Sequence, residues 1–180
     1  MSSSNASWNA LIDRARTLGA THVAVVPVER MRFDRAFRDL CAANVCGNYG
    51  TCHICPPAVG PIDELIEKAR SYTYALVVAA TYTPDDGDFV GGGEAVHRIL
   101  RPLRADARRL GWDVLALGAG HCVLCETCAL RDGAPCRHPD DALPSLESHG
   151  VDVGHLVELS GGHFLWDGPS RTFCGALLMK

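Results

Sequence analysis

Hydrophobic and polar positions along the chain divide it into alternating helical and extended stretches. Trp8, Leu11, Ile12, Ala15 and Leu18 recur at intervals of three and four, one face of a short helix that Gly19 ends, with residues 1–7 a small, polar, frayed start. His22 to Val28 is apolar on both parities, as in a strand covered on both faces, and Pro27 limits its length. Met31, Phe33, Phe37 and Leu40 among charged residues predict a helix leading to Cys41, and Pro61 opens another amphipathic helix that runs to about Ser71. Tyr74 to Thr83, YALVVAATYT, reads as a central strand. Glu94 to Leu110 reads as a helix that Pro102 should kink or split, and Asp113 to Leu117 as a short strand. Short helices are expected near Leu143 to His149 and Val153 to Leu159, then a closing hairpin pairing HFLWD with RTFCGALLM.

These elements predict an α/β or α+β fold: a single domain over residues 1–180, with a sheet of four or five strands flanked by helices and two cysteine-rich loops gathered at one end. Trp8, Trp112 and Trp166 read as core.

The apolar pattern lapses in two places, and both are rich in cysteine. The first is the loop over residues 41–60, which opens CAANVCGNYGTCHICPP, where Gly47, Gly50, Gly60 and Pro56–Pro57 force turns around Cys41, Cys46, Cys52 and Cys55. The second is GAGHCVLCETCALRDGAPCRHP, which opens on Gly118-Ala119-Gly120 after a strand and carries Cys122, Cys125, Cys128 and Cys136. Eight of nine cysteines thus form two sets of four, with Cys174 left over as a small buried hydrophobe.

Composition narrows what such cysteines do. Apolar residues make up 47% and charged residues 21%, and the net charge of −4 gives no basic footprint for nucleic acid. No secretory leader or membrane-length apolar run is visible, so a cytoplasmic location is expected, where thiols stay reduced and serve as ligands rather than as a disulfide frame. No nucleophile elbow, zincin helix or phosphate-binding loop occurs. Gly91-Gly92-Gly93 lacks the lysine and hydroxyl a phosphate loop needs, and reads as a flexible loop. Arg98, Arg101, Arg104 and Arg108 share one helical face, a solvated surface or a dock for an acidic redox partner.

The spacing C-x2-C-x2-C fits a cubane iron–sulfur cluster, which takes three thiolates from one loop and a fourth from elsewhere. Cys136 is a sufficient fourth ligand. Pro56 after Cys55 is similar to the Cys-Pro of bacterial ferredoxins, whose last cysteine serves the other cluster, so exchange of Cys55 and Cys136 between sites stays open. Zinc is the alternative, since it takes thiolates from separated C-x2-C pairs such as Cys52 and Cys55. His53, His121 and His138 stand beside the cysteines as ligands, proton carriers or supporting hydrogen-bond donors.

Asn48-Tyr49-Gly50, Cys55-Pro56-Pro57, the Cys122-Cys125-Cys128 triplet, Pro135 to Pro139, Pro144-Ser145-Leu146-Glu147 and Gly150-Val151-Asp152-Val153 together resemble a predicted metal-binding family, domain of unknown function 2284, over about residues 20 to 180. The resemblance implies metal binding through cysteines, a setting mainly in anaerobic bacteria and archaea, and no agreed reaction. It carries a ligand role to the whole second set and to Cys41, Cys46 and Cys55, with Cys52 present in only some relatives.

Three readings follow. The first is an iron–sulfur protein with two [4Fe-4S] clusters that passes electrons to or from a protein partner. The second is an iron–sulfur enzyme with an open iron acting on a small substrate, which follows if Cys52 is not a ligand. The third is a zinc-stabilised interaction module.

Overall fold

The computed structural model describes residues 3–84, 91–163, 165 and 168–180. Helix α1 (Ser3–Thr17) leads into strand β1 (His22–Pro27). After α2 (Ala36–Ala42) and α3 (Ile62–Arg70) come β2 (Tyr74–Tyr82), the long α4 (Gly91–Arg109) and β3 (Val114–Leu117), then α5 (Val153–Leu159) and β4 (Arg171–Met179).

The sheet order is β1-β2-β4-β3, and every neighbouring pair is antiparallel. This makes the fold α+β, with four strands among the described residues where four or five were expected. β2 lies inside the sheet, pairing His22–Pro27 on one side and all nine residues of β4 on the other.

Period-two alternation sorts the side chains into two layers. Leu76, Val78, Ala80, Val114, Ala116, Leu177 and Met179 face α1 and α4, which contribute Leu11, Ala15, Val96, Ile99, Leu100, Leu103 and Ala107. Ala75, Val77, Leu117, Cys174, Ala176 and Leu178 face the other way, onto Ala69 of α3, Leu156 and Val157 of α5, and Leu146 and Val151. Each large aliphatic side chain buried in this way contributes about 1.5–3 kcal/mol. Trp8 packs against Trp112 with ring centroids 4.9 Å apart and the planes tilted by 43°. Trp166, most of HFLWD and residues 85–90 lie outside the described residues.

Several sequence expectations need correction. α4 runs unbroken through Pro102, because buried residues on both sides of the proline hold the two halves to the same sheet face. Gly91–Gly93 is the first turn of α4, not a loop. Close packing explains the glycines: a Cβ on Gly92 would lie 2.0 Å from the Phe173 ring, and one on Gly93 would lie 2.7 Å from the Ala119 carbonyl oxygen. The helix before Cys41 starts only at Ala36, since Met31 is buried against the sheet and Phe33 bridges Val151. Near Leu143 to His149 only a 3-10 turn forms, at Glu147–His149. The arginine face of α4 is only partly solvated. Arg101 pairs with Glu94 at 2.7 Å and donates to the Asp141 carbonyl at 3.0 Å, and Arg104 is half-buried.

One crossbar positions both cysteine loops. At one end the Gly118 N–H donates to the Pro144 carbonyl (2.7 Å) and the Leu146 N–H to the Gly118 carbonyl (3.0 Å), fixing the start of the second loop. At the other end the Asp34 N–H donates to the Gly150 carbonyl (2.8 Å) and the Asp152 N–H to the Arg32 carbonyl (3.0 Å), fixing the approach to the first. Residues 144–152 therefore tie the two loops to one frame.

Candidate metal centre

The first loop leaves α2 at Cys41 and turns back through Asn44, which adopts a left-handed conformation (φ 54°) and accepts the Tyr49 N–H on its side-chain oxygen at 2.9 Å. Arg38 holds the loop's base, donating to the Ser148 carbonyl (3.0 Å) and the Gly60 carbonyl (2.8 Å). The second loop begins where His97 supports it. The His97 ring is 1% exposed, and its Nε2 accepts the Ala119 N–H at 3.3 Å. Burial, and then Arg101, push its pKa down to about 4, so the ring is neutral and its other nitrogen faces Glu94.

The two loops meet through their cysteines. Cys52, Ile54 and Cys55 are buried and pack against Cys122 and Cys128. His53 reaches across as well, its Nε2 2.9 Å from the Ala134 carbonyl oxygen. All nine cysteines are free thiols.

Two cavities receive the thiols. A mainly apolar one of about 460 Å³ is lined by Cys41, Cys46 and Cys55 with Phe37, Leu40, Val45, Tyr49, Ile54 and Glu147. A more polar one of about 440 Å³ is lined by Cys52, Cys122, Cys125 and Cys128 with Thr51, Glu126 and Arg131. Asn48 and His121 line both, so the cavities are neighbours. Cys136 lies beside the second, where its charge acts on Cys122, and its sulfur accepts the His138 N–H at 3.4 Å. Arg137 donates to the Thr127 carbonyl at 3.2 Å, bracing the triplet.

The thiols affect one another electrostatically. The Cys55 S–H donates to Cys52, which holds the Cys52 thiol well below its usual range and raises Cys55; burial raises Cys55 further. Cys52 also accepts the backbone N–H of Cys122. Burial raises Cys41, with the Glu147 carboxylate next in effect, and burial raises Cys122, with the charges of Cys52, Cys128 and Cys136 adding to it. A cationic centre bound among them would reverse this mutual repulsion.

The donor set fits a thiophilic metal or cluster: both cavities present several sulfurs and few carboxylates, which suits iron–sulfur or zinc rather than magnesium or calcium. Among the described residues, no three His, Cys, Asp or Glu side chains converge on one ion position. Cys174 stands apart, 3% exposed in β4, with burial pushing its thiol up to about 12.

Sequence reasoning passed over His97 and Arg38, and it quoted Ser145 and Glu147 only within a motif. Glu147 lines the first cavity, half-buried, and burial raises its carboxyl. Ser145 donates to it. An acidic residue one turn before a glycine and close to no cysteine in sequence gives no sign of this position.

An α+β scaffold that gathers reduced thiols around two adjacent cavities defines a cysteine-rich metal-binding protein. The chain belongs to the family described as Predicted metal-binding protein (DUF2284), whose profile matches residues 24–179. Comparison with curated proteins and with solved structures gave no match. Among the described residues no helix is long and apolar enough to cross a membrane.

Proposed function

We propose that this chain is a cytoplasmic iron–sulfur protein that holds two [4Fe-4S] clusters and exchanges electrons with a protein partner in anaerobic redox metabolism. Cys41, Cys46, Cys52, Cys55, Cys122, Cys125, Cys128 and Cys136 would hold the clusters, which supply one-electron redox chemistry when bound. The observation that carries the reading is the adjacency of the two thiol-lined cavities across Asn48 and His121. Neighbouring centres give an electron a short path through the protein, and the C-x2-C-x2-C triplet is a cubane spacing rather than a zinc knuckle.

The protein's own groups do the rest. The N–H donors on Cys52 and Cys136 stabilise negative charge on sulfur, which eases reduction. Burial of Cys52 and Cys55 keeps water from that side of the thiols.

The test is anaerobic purification followed by iron, sulfide and zinc analysis. Roughly eight irons per chain, a brown colour and a paramagnetic resonance signal on dithionite reduction are expected for two cubanes. A colourless protein with stoichiometric zinc overturns the reading in favour of a zinc-stabilised module.

A further inference from the structure

The sequence groups the cysteines four and four, but the cavities divide them otherwise. Cys41, Cys46 and Cys55 line the first and Cys52 does not; Cys52 lines the second with Cys122, Cys125 and Cys128. Cys52 packs in one cluster with Cys122 and Cys128 as well as with Cys55. With Cys136 also beside Cys122, the second centre has one thiol more than a cubane needs and the first has one fewer.

We infer that Cys41, Cys46 and Cys55 alone hold the first centre, and that its fourth coordination position opens onto the apolar cavity, where a small, mainly apolar molecule with a sulfur donor binds. This rests on the iron–sulfur reading above.

The cavity has the character of a ligand site. Its walls are Phe37, Leu40, Val45, Tyr49 and Ile54, and three of these are unusually accessible for large apolar side chains: Leu40 is 64%, Val45 92% and Tyr49 39% exposed. Apolar side chains left in water around a recess mark a place where an apolar body docks. Asn48, His121 and, from the crossbar, Ser145, Glu147 and Ser148 line the same cavity, a small set of polar groups of the kind that orients a ligand. Sulfur is the donor that a thiolate-bound soft centre accepts most readily. The second cavity lacks this apolar wall, since Gly47, Thr51, Glu126, Thr127 and Arg131 line it.

The first test counts iron in the anaerobically purified full chain and in Cys128→Ser, Cys46→Ser and the Cys52→Ser/Cys128→Ser pair. With Cys52 able to take its place, Cys128→Ser is expected to keep nearly all the iron, and Cys46→Ser and the Cys52→Ser/Cys128→Ser pair each to keep about half. Loss of the remaining iron in the pair would show Cys52 to be a first-centre ligand and overturn the inference.

The second test uses the wild type, so it does not depend on any variant folding. Ferricyanide takes one electron from a [4Fe-4S]2+ cluster, and an iron without a cysteine ligand then leaves as Fe2+, giving [3Fe-4S]+ with its own paramagnetic resonance signal. The signal is expected in the wild type and in Cys128→Ser, and absent from Cys46→Ser. A wild type that gives no such signal overturns the open position.

For the ligand the probe is benzenethiol, added to the dithionite-reduced Cys52→Ser/Cys128→Ser pair, which holds the first centre alone. A saturable change in the first centre's spectrum is expected, weakened about tenfold by Val45→Asp with iron content unchanged. No change at any benzenethiol concentration overturns the ligand site. An iron-free wild type defeats the electron-transfer reading itself, and is distinct from an iron-loaded protein that fails these tests.

Discussion

The imidazole of His97 fills the space in which residue 118 would otherwise carry a side chain: a Cβ on Gly118 would lie 2.2 Å from Nε2. Helix α4 and the start of the second cysteine loop thus fit together only with glycine at 118. Gly118→Ala is expected to destabilise the protein by about 1–3 kcal/mol through overpacking. Adding His97→Ala should recover part of that loss, because the two changes share one space. Urea unfolding of the metal-loaded chain, run as a double-mutant cycle, measures the coupling; additive effects would contradict it.

His97 and His149 are both buried, and burial pushes each down to about 4. A pKa lower in the folded than in the unfolded state means that the unfolded chain binds protons first. The stability these rings contribute is therefore complete above about pH 6.5 and is lost as pH falls toward 4. Unfolding free energy measured at steps between these limits should fall toward acid, and His97→Gln should flatten the slope. An unchanged slope in that variant would exclude His97 as a source.

Arg38 donates two charge-assisted hydrogen bonds, one into the crossbar at Ser148 and one to Gly60 where the first loop ends. Such bonds contribute about 1.5–3 kcal/mol each. Arg38→Met, which keeps much of the aliphatic stem, should loosen the first loop far more than the second. Limited proteolysis is expected to cut between residues 41 and 60 faster than in the wild type, with the 118–139 stretch unaffected. Equal cleavage of both loops would mean that Arg38 braces the frame as a whole.

Cys174 separates packing from metal binding. It lies in β4 on the face that meets α5, away from both thiol-lined cavities. Cys174→Ala should leave the metal content per chain unchanged, whereas Cys174→Ser should destabilise by about 1–3 kcal/mol by burying a hydroxyl among apolar neighbours. Metal lost from Cys174→Ala, with folding intact, would contradict this division.

The elements with a strong period were legible in the sequence. β2, α3 and α5 fall where alternation or three-and-four spacing put them, and the cysteine spacing singled out both loops. What escaped depends on contacts between distant segments. Gly91–Gly93 has the composition of a loop, and only the nearness of Phe173 and Ala119 shows why bare backbone is needed in a helix there. Pro102 is a local helix breaker overruled by packing on both its flanks. Spacing put Cys52 with Cys55, but its place against Cys122 depends on how two loops almost seventy residues apart are docked. No local signal encodes that docking. It follows from the crossbar, whose hydrogen bonds are mostly between backbone groups and so leave little trace in side-chain identity.

Among the described residues β4 is the last of four strands in sequence, yet it is an inner one, seated between β2 and β3. Both cysteine loops precede it along the chain. On the ribosome, all eight loop thiols therefore emerge before the strand that joins the two halves of the sheet. Until β4 is made, the first loop's β2 side and the second loop's β3 side have no shared hydrogen-bond ladder. The sheet that carries both loops is therefore completed only by the last strand along the described chain.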